Sequence, residues 1–200
     1  MQYRNRFPVP AQVGFTLIET MVVVVILGIL SAVLLNKFMG STVSTRATGL
    51  VTTMQLTAGS LDRYKAELGC YPNRFDALWD RTKASAADTF CGLDHRPGWM
   101  EAFMKPQQVS ADAPNNTMLL DDVQRGVTLA IARQAGGLGT RWVLTAANVP
   151  NDIATLAIAK CNATDPNAAM PVAFNANLKC IGTANGAELT NVTMMFTETR

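Results

Sequence analysis

The chain has 200 residues, 48% of them hydrophobic, and sets 17 lysines and arginines against 15 acidic residues for a formal net charge of +2. Once an apolar N-terminal stretch is set aside, the remainder is large enough for one core, so a single soluble head is expected. The basic residues are scattered instead of grouped, which removes the electrostatic argument for nucleic-acid binding and leaves nucleic acid unassigned as a partner.

Residues 1–14 are short and polar, carry Arg4 and Arg6 without an acidic residue, and end in Gly14. The next stretch, Phe15 to Leu35, is an apolar run of 21 residues with one charge, Glu19. At about 1.5 Å per residue it reaches across a hydrocarbon core of about 30 Å, which predicts a membrane helix. Basic residues before the run and a large cysteine-bearing region after it orient the N-terminus toward the cytoplasm, with Lys37 opposing that asymmetry slightly. A secretory signal is cut after its apolar run, whereas here the small residue precedes it, so the run is expected to be retained. Glu19 is the anomaly. A carboxylate at mid-depth costs up to about 3 kcal/mol, so it needs a partner unless it simply reaches the head-group layer.

The string FTLIE directly after a glycine, continuing as an apolar run that contains Gly28, closely resembles the N-terminus of type IV prepilins and pseudopilins over Gly14 to Leu35. The resemblance implies cleavage by a membrane-embedded prepilin peptidase between Gly14 and Phe15, methylation of the new amine, and a role for Glu19 in assembly. An independent physical argument agrees. Cleavage leaves an α-amino group at Phe15, one helical turn from Glu19, and in a bundle the carboxylate of one subunit neutralises the amine of the next. Two positions depart from the commonest pattern. Thr20 follows the glutamate where an apolar residue is usual, and Asn36 stands where many pilins have proline. Asn36 with Gly40 loosens a helix more mildly than proline does, so a straighter helix is expected.

Beyond the run, Val43, Ala47, Leu50, Met54, Ala58, Leu61, Tyr64 and Leu68 recur at steps of three and four, an amphipathic stripe. One helix is therefore predicted from Phe15 to Leu68, about 80 Å long at the standard rise, weakened at Gly49 and Gly59. Gly69 caps it and Pro72 stops it. The following LDRYKAELGCYPNRFDALWD resembles the helix exit of pilins and pseudopilins, though over a shorter match. Tyr71, Phe75, Leu78 and Trp79 are expected to pack this crossover, and Asp76 to cap a short helix through Trp79. Lys83 to Thr117 shows no period and reads as irregular. Val127–Gln134 and Arg141–Ala147 read as a hairpin joined through Gly136, Gly137 and Gly139. A short helix starts at Asn151 or Asp152 and runs to Lys160. Ile181–Gly182 and Val192–Thr197 complete the strands around an Asn185-Gly186 turn.

The predicted fold class is α+β and type IV pilin-like: a long N-terminal helix on a small, largely antiparallel sheet, with two disulfides. The predicted organisation is a leader at 1–14, a membrane and stalk helix at 15–68, and an exported head at 69–200. Cys70, Cys91, Cys161 and Cys180 are even in number and lie outside the apolar run, which favours disulfides in an oxidising compartment. Four cysteines allow three connectivities. Pairing Cys70 with Cys91 and Cys161 with Cys180 closes the shortest loops, each stabilising by roughly 3 kcal/mol. A zinc site is the alternative, weakened by the absence of C-x-x-C and by a lone histidine, His95.

No catalytic constellation emerges. His95 in HRPGW reads as a surface histidine, GGLG lacks the Lys of a phosphate loop, and Asp121-Asp122 read as a solvated edge. The N-x-T triplets at Asn115, Asn162 and Asn191 matter only where a glycosylation system exists. No enzyme activity, metal or cofactor is expected.

The first functional reading is a structural subunit, major or minor, of a type IV pilus. Its expected partners are identical or related subunits, the prepilin peptidase, an inner-membrane assembly platform, and lipid before assembly. Its expected location is the bacterial inner membrane and then an extracellular pilus. The second reading is a pseudopilin of a type II secretion system, and the third a signal-anchored periplasmic enzyme or binding protein.

Overall fold

The computed structural model describes residues 16–110, 117–136 and 139–199, with the side chains of 33–40 and of Thr199 outside that description. Helix α1 spans Leu17–Leu68 without a break. The chain divides into two compact units, residues 1–41 and 42–200.

In the second unit α1 uses its stripe as the spacing predicts. Ala47, Leu50, Met54, Leu61 and Tyr64 are each 1% exposed or less and belong to one core with Leu129, Leu144 and Val192 of the sheet. Each buried leucine of this kind contributes roughly 2–5 kcal/mol against truncation to alanine. Gly69 ends the helix at φ +95°, a conformation that disfavours any residue with a Cβ, and its N–H bonds the Lys65 carbonyl at 2.8 Å.

Three short 3-10 turns follow, Asp76–Leu78, Arg81–Lys83 and Ala86–Asp88. Strand β1 is Met118–Leu119, β2 is Thr128–Gly136 and β3 is Gly139–Pro150. Helix α2 is Asn151–Asn162, β4 is Cys180–Ala184 and β5 is Leu189–Thr199. The sheet is antiparallel throughout, in the order β1-β2-β3-β5-β4. The predicted hairpin is therefore β2–β3, and its closing pair is Gly136 opposite Gly139.

The longest strand, β3, is irregular. Its register on β5 shifts between Trp142 and Val143 and again between Ala146 and Val149, where Asn148 adopts φ +61°. Asparagine tolerates that left-handed conformation better than branched residues do, because it bonds locally. Here its N–H reaches the Asn191 Oδ1 and its Nδ2 donates to the Gly126 carbonyl. Such a bulge bends the strand locally and increases its twist.

Asp76 does not cap a helix. It is buried, the 3-10 turn begins without a side-chain cap, and its carboxylate instead receives a two-pronged bond from Arg74, at 2.5 and 2.6 Å. A buried carboxylate needs a cation more than it needs a turn amide, so the ion pair wins.

Candidate functional site

Two regions carry the features from which a function can be argued. The first is the N-terminal part of α1. Every large apolar side chain from Leu17 to Leu30 is between 49% and 77% exposed. These residues occupy consecutive positions, Met21 to Leu27 without interruption, so apolar surface surrounds the helix. A helix that is hydrophobic all round belongs inside a membrane or a bundle. Among the described residues no helix is long and apolar enough to cross a membrane. The described side chains of this run stop at Ala32, short of the full predicted span from Phe15 to Leu35.

Glu19 lies in the first turn of α1 and is exposed. Its N–H bonds the Thr16 carbonyl at 3.1 Å, and among the described residues no side chain pairs with its carboxylate. Thr20, the departure from the usual pattern, turns its hydroxyl back to the Leu17 carbonyl at 2.8 Å, which satisfies a polar group that hydrocarbon would otherwise penalise. Gly14 and Phe15 lie outside the described residues.

The second region is the head, held at two ends by disulfides. Cys161 pairs with Cys180 across 19 positions. Asn162 reinforces this closure: its Oδ1 accepts the Lys179 and Cys180 N–H groups at 2.9 Å each, and its Nδ2 donates to the Cys180 carbonyl at 2.7 Å. The same amide nitrogen would carry a glycan at this N-x-T triplet, so the folded head is closed to modification there. The enclosed loop also docks on the edge strand. The Gly182 N–H donates to the Pro171 carbonyl at 2.8 Å, and a Cβ on Gly182 would overlap the side chains of Met170 and Ile158. The edge of β4 is thereby covered, which blunts strand-to-strand aggregation.

Cys70 pairs with Cys91 across 21 positions, in the crossover that leaves α1. Around it Tyr71 meets Trp142 at a tilt and Phe196 edge to face, with centroids at 4.5 and 5.5 Å. The Tyr71 hydroxyl donates to Asp62 at 2.5 Å, and Thr197 donates to the same carboxylate oxygen at 3.1 Å. Asp62 thus ties the crossover and the end of β5 to α1. Burial, and then the Asp62 hydrogen bond, hold the Tyr71 phenol well above its ordinary value, so it stays a donor. Phe75 and Leu78 are fully buried, as packing of the crossover requires, while Trp79 is half-buried.

His95 is not a surface residue. It is 4% exposed, its N–H bonds the Ala84 carbonyl at 2.9 Å, and its ring lies between Tyr64 and the Cys70–Cys91 disulfide. A single histidine among polar neighbours gave little local sign of this: Cys91 is four positions away, but Cys70 and Tyr64 are 25 and 31 positions away. Burial lowers its pKa and so favours the neutral ring. Asp121 and Asp122 lie in an exposed turn after β1, and Asn115 falls outside the described residues.

Residues 11–35 match the sequence family described as the prokaryotic N-terminal methylation motif. Curated relatives include the type II secretion system core protein G of Klebsiella pneumoniae, 35% identical over 77 residues, 38% of this chain and 55% of that protein. The proteins of the same name from Pseudomonas aeruginosa and Vibrio cholerae are 44% and 41% identical over 67 residues, 34% of this chain and 47% and 46% of theirs. The chain therefore spans about half the length of the curated relatives it matches. No solved structure matches it.

Proposed function

We propose that this chain, a type IV pilin-like protein, is a pseudopilin, a filament subunit of a type II secretion apparatus. The prepilin peptidase cuts it after Gly14 and methylates Phe15, and the exposed apolar helix then carries it from the membrane into a filament of related subunits on the inner-membrane assembly platform. Glu19 pairs with the new amine of a neighbouring subunit and selects the axial register. In this reading the chain divides into a leader at 1–14, a membrane and stalk helix at 15–68, and a periplasmic head at 69–200.

The observation that carries the filament reading is the unpartnered, all-round apolar surface of Leu17 to Leu30 beside one carboxylate, within a matched methylation motif. The relatives favour secretion over the pilus reading that came first on sequence, because each is a core protein of type II secretion.

Mass spectrometry of membrane and sheared-surface fractions tests it, in a host with active prepilin peptidase. A membrane chain beginning at methylated Phe15 and missing from sheared filaments is the expected result. An abundant chain in sheared filaments would return the pilus reading to first place. A membrane chain retaining residues 1–14 would end both.

A further inference from the structure

The sulfurs of Cys70 and Cys91 and the ring nitrogens of His95 form a cluster in which one ligand atom from each residue lies within 4.8 Å of the others. The His95 Nε2 is 3.5 Å from the Cys70 Sγ and 3.8 Å from the Cys91 Sγ. Zinc takes thiolate sulfur at about 2.3 Å and imidazole nitrogen at about 2.0–2.1 Å, so a zinc tetrahedron has S···N edges of about 3.6 Å and an S···S edge of about 3.8 Å. Both S···N edges are thus already in place in the folded head. Only the S···S edge is short, and reduction of the disulfide releases it.

The other ring nitrogen of a zinc-bound histidine donates to a fixed acceptor, which sets the tautomer and orients the ring. His95 Nδ1 has that neighbour, the Tyr64 Oη at 3.0 Å. Tyr64 is itself fully buried on α1, against Phe103 with centroids at 4.9 Å. Cys91 is exposed and Cys70 half-buried, so a cation reaches the cluster from solvent and keeps one position for water.

We propose that this chain, whenever Cys70 and Cys91 are both thiols, binds one zinc ion through Cys70 Sγ, Cys91 Sγ and His95 Nε2, with Tyr64 as the positioning residue. Binding releases two thiol protons for each metal, and no electron moves. While bound, the ion holds Cys70 beside Cys91 and shields both thiolates from exchange with Cys161 and Cys180. The site is independent of which filament the chain joins.

The test uses the full chain in detergent, reduced with a water-soluble phosphine. That reagent and one water convert each disulfide to two thiols and a phosphine oxide, adding no competing thiol. Cobalt(II) is the probe. The expected result is one cobalt per chain with thiolate-to-cobalt charge-transfer absorption and tetrahedral d–d bands, absent from the oxidised chain. The bands vanish in Cys91→Ser and persist in the Cys161→Ser/Cys180→Ser double variant. His95→Gln abolishes the tight site. Tyr64→Phe, which keeps the ring and its packing, weakens it roughly 10–100-fold. Reduced wild type binding cobalt no more tightly than Cys91→Ser overturns the proposal, as does a band that follows Cys161 and Cys180. If His95→Gln fails to fold by circular dichroism, Tyr64→Phe decides, and unchanged affinity there overturns the proposed site as drawn, with Tyr64 positioning the ligand.

Discussion

Asn162 offers the most exacting check on how the C-terminal loop is held. Its side chain makes three hydrogen bonds beside the Cys161–Cys180 disulfide, two of them to the backbone of Cys180, which is 1% exposed. Substitution by alanine strips the N–H and the carbonyl of buried Cys180 of their partner. At about 0.5–1.5 kcal/mol for each of the two part-buried bonds, plus a share of the desolvation cost, the loss is about 2–3 kcal/mol. The bond to Lys179 adds little, since water replaces it. Asn162→Asp separates the contributions: a carboxylate still accepts from both N–H groups but sets an oxygen against the Cys180 carbonyl in place of the donor, so it should destabilise through that one contact. Urea unfolding of the oxidised chain in detergent, read by near-ultraviolet circular dichroism, gives both values from the midpoint shift at constant slope. If Asn162→Ala lies within about 0.5 kcal/mol of wild type, the disulfide alone closes the loop and the clamp argument is wrong.

The Thr57 hydroxyl is buried at 1% exposure without a hydrogen bond among the described residues, so Thr57→Val should stabilise the head by about 1 kcal/mol in the same assay, and a loss would mean that the hydroxyl has an unseen partner. Gly182→Ala should cost roughly 1–3 kcal/mol and expose the 163–179 loop to proteolysis, because Met170 and Ile158 fill the space of the new methyl. Burial alone would raise the Asp88 carboxyl, but the Ser85 hydroxyl and Arg74 outweigh it and hold the group below its ordinary 3.8. Its stabilisation is therefore full above about pH 4 and lost as pH falls through the lowered folded value. The stability gap between wild type and Asp88→Asn should narrow between pH 5 and pH 2, and an unchanged gap would contradict the assignment. Glu19→Ala should leave cleavage after Gly14 intact while removing the chain from cross-linked filaments, and normal assembly of that variant would sink the charge-pairing role.

Much of the fold was legible because it is written locally. The stripe from Val43 to Leu68, Gly69 at its end, Gly136 and Gly139 at the facing ends of β2 and β3, and the Asn185-Gly186 turn each encode their conformation within a few residues; Gly186 indeed has φ +91°. What stayed hidden depends on contacts across the chain. Strand β5 inserts between β3 and β4, which no local pattern specifies. The Arg74 guanidinium joins Asp76 to Asp88, at 3.0 Å from the latter, and so converts an expected helix cap into an ion-pair network. His95 is the sharpest case. Its neighbours Asp94 and Arg96 pair with each other on the surface at 2.6 Å, and the histidine between them turns inward, a reversal that alternating polar residues do not announce.

On the proposed function, the two hydrophobic patterns on α1 suit one continuous helix to two media. From Leu17 to Leu30 apolar side chains occupy all sides, so no orientation of the helix is preferred by burial alone, and lipid or a ring of equivalent helices satisfies it equally. From Ala47 to Tyr64 the buried apolar residues narrow to one face packed on the head's own sheet, and of the large apolar side chains there only Leu56 is exposed. A subunit built this way folds its head once and exchanges only the surroundings of its first segment on assembly. Because hydrocarbon and packed neighbours are nearly equivalent for leucine and valine, that exchange has little hydrophobic driving force of its own. Direction and register must then come from a polar term, and Glu19 is the one charged side chain within the apolar run that can supply it.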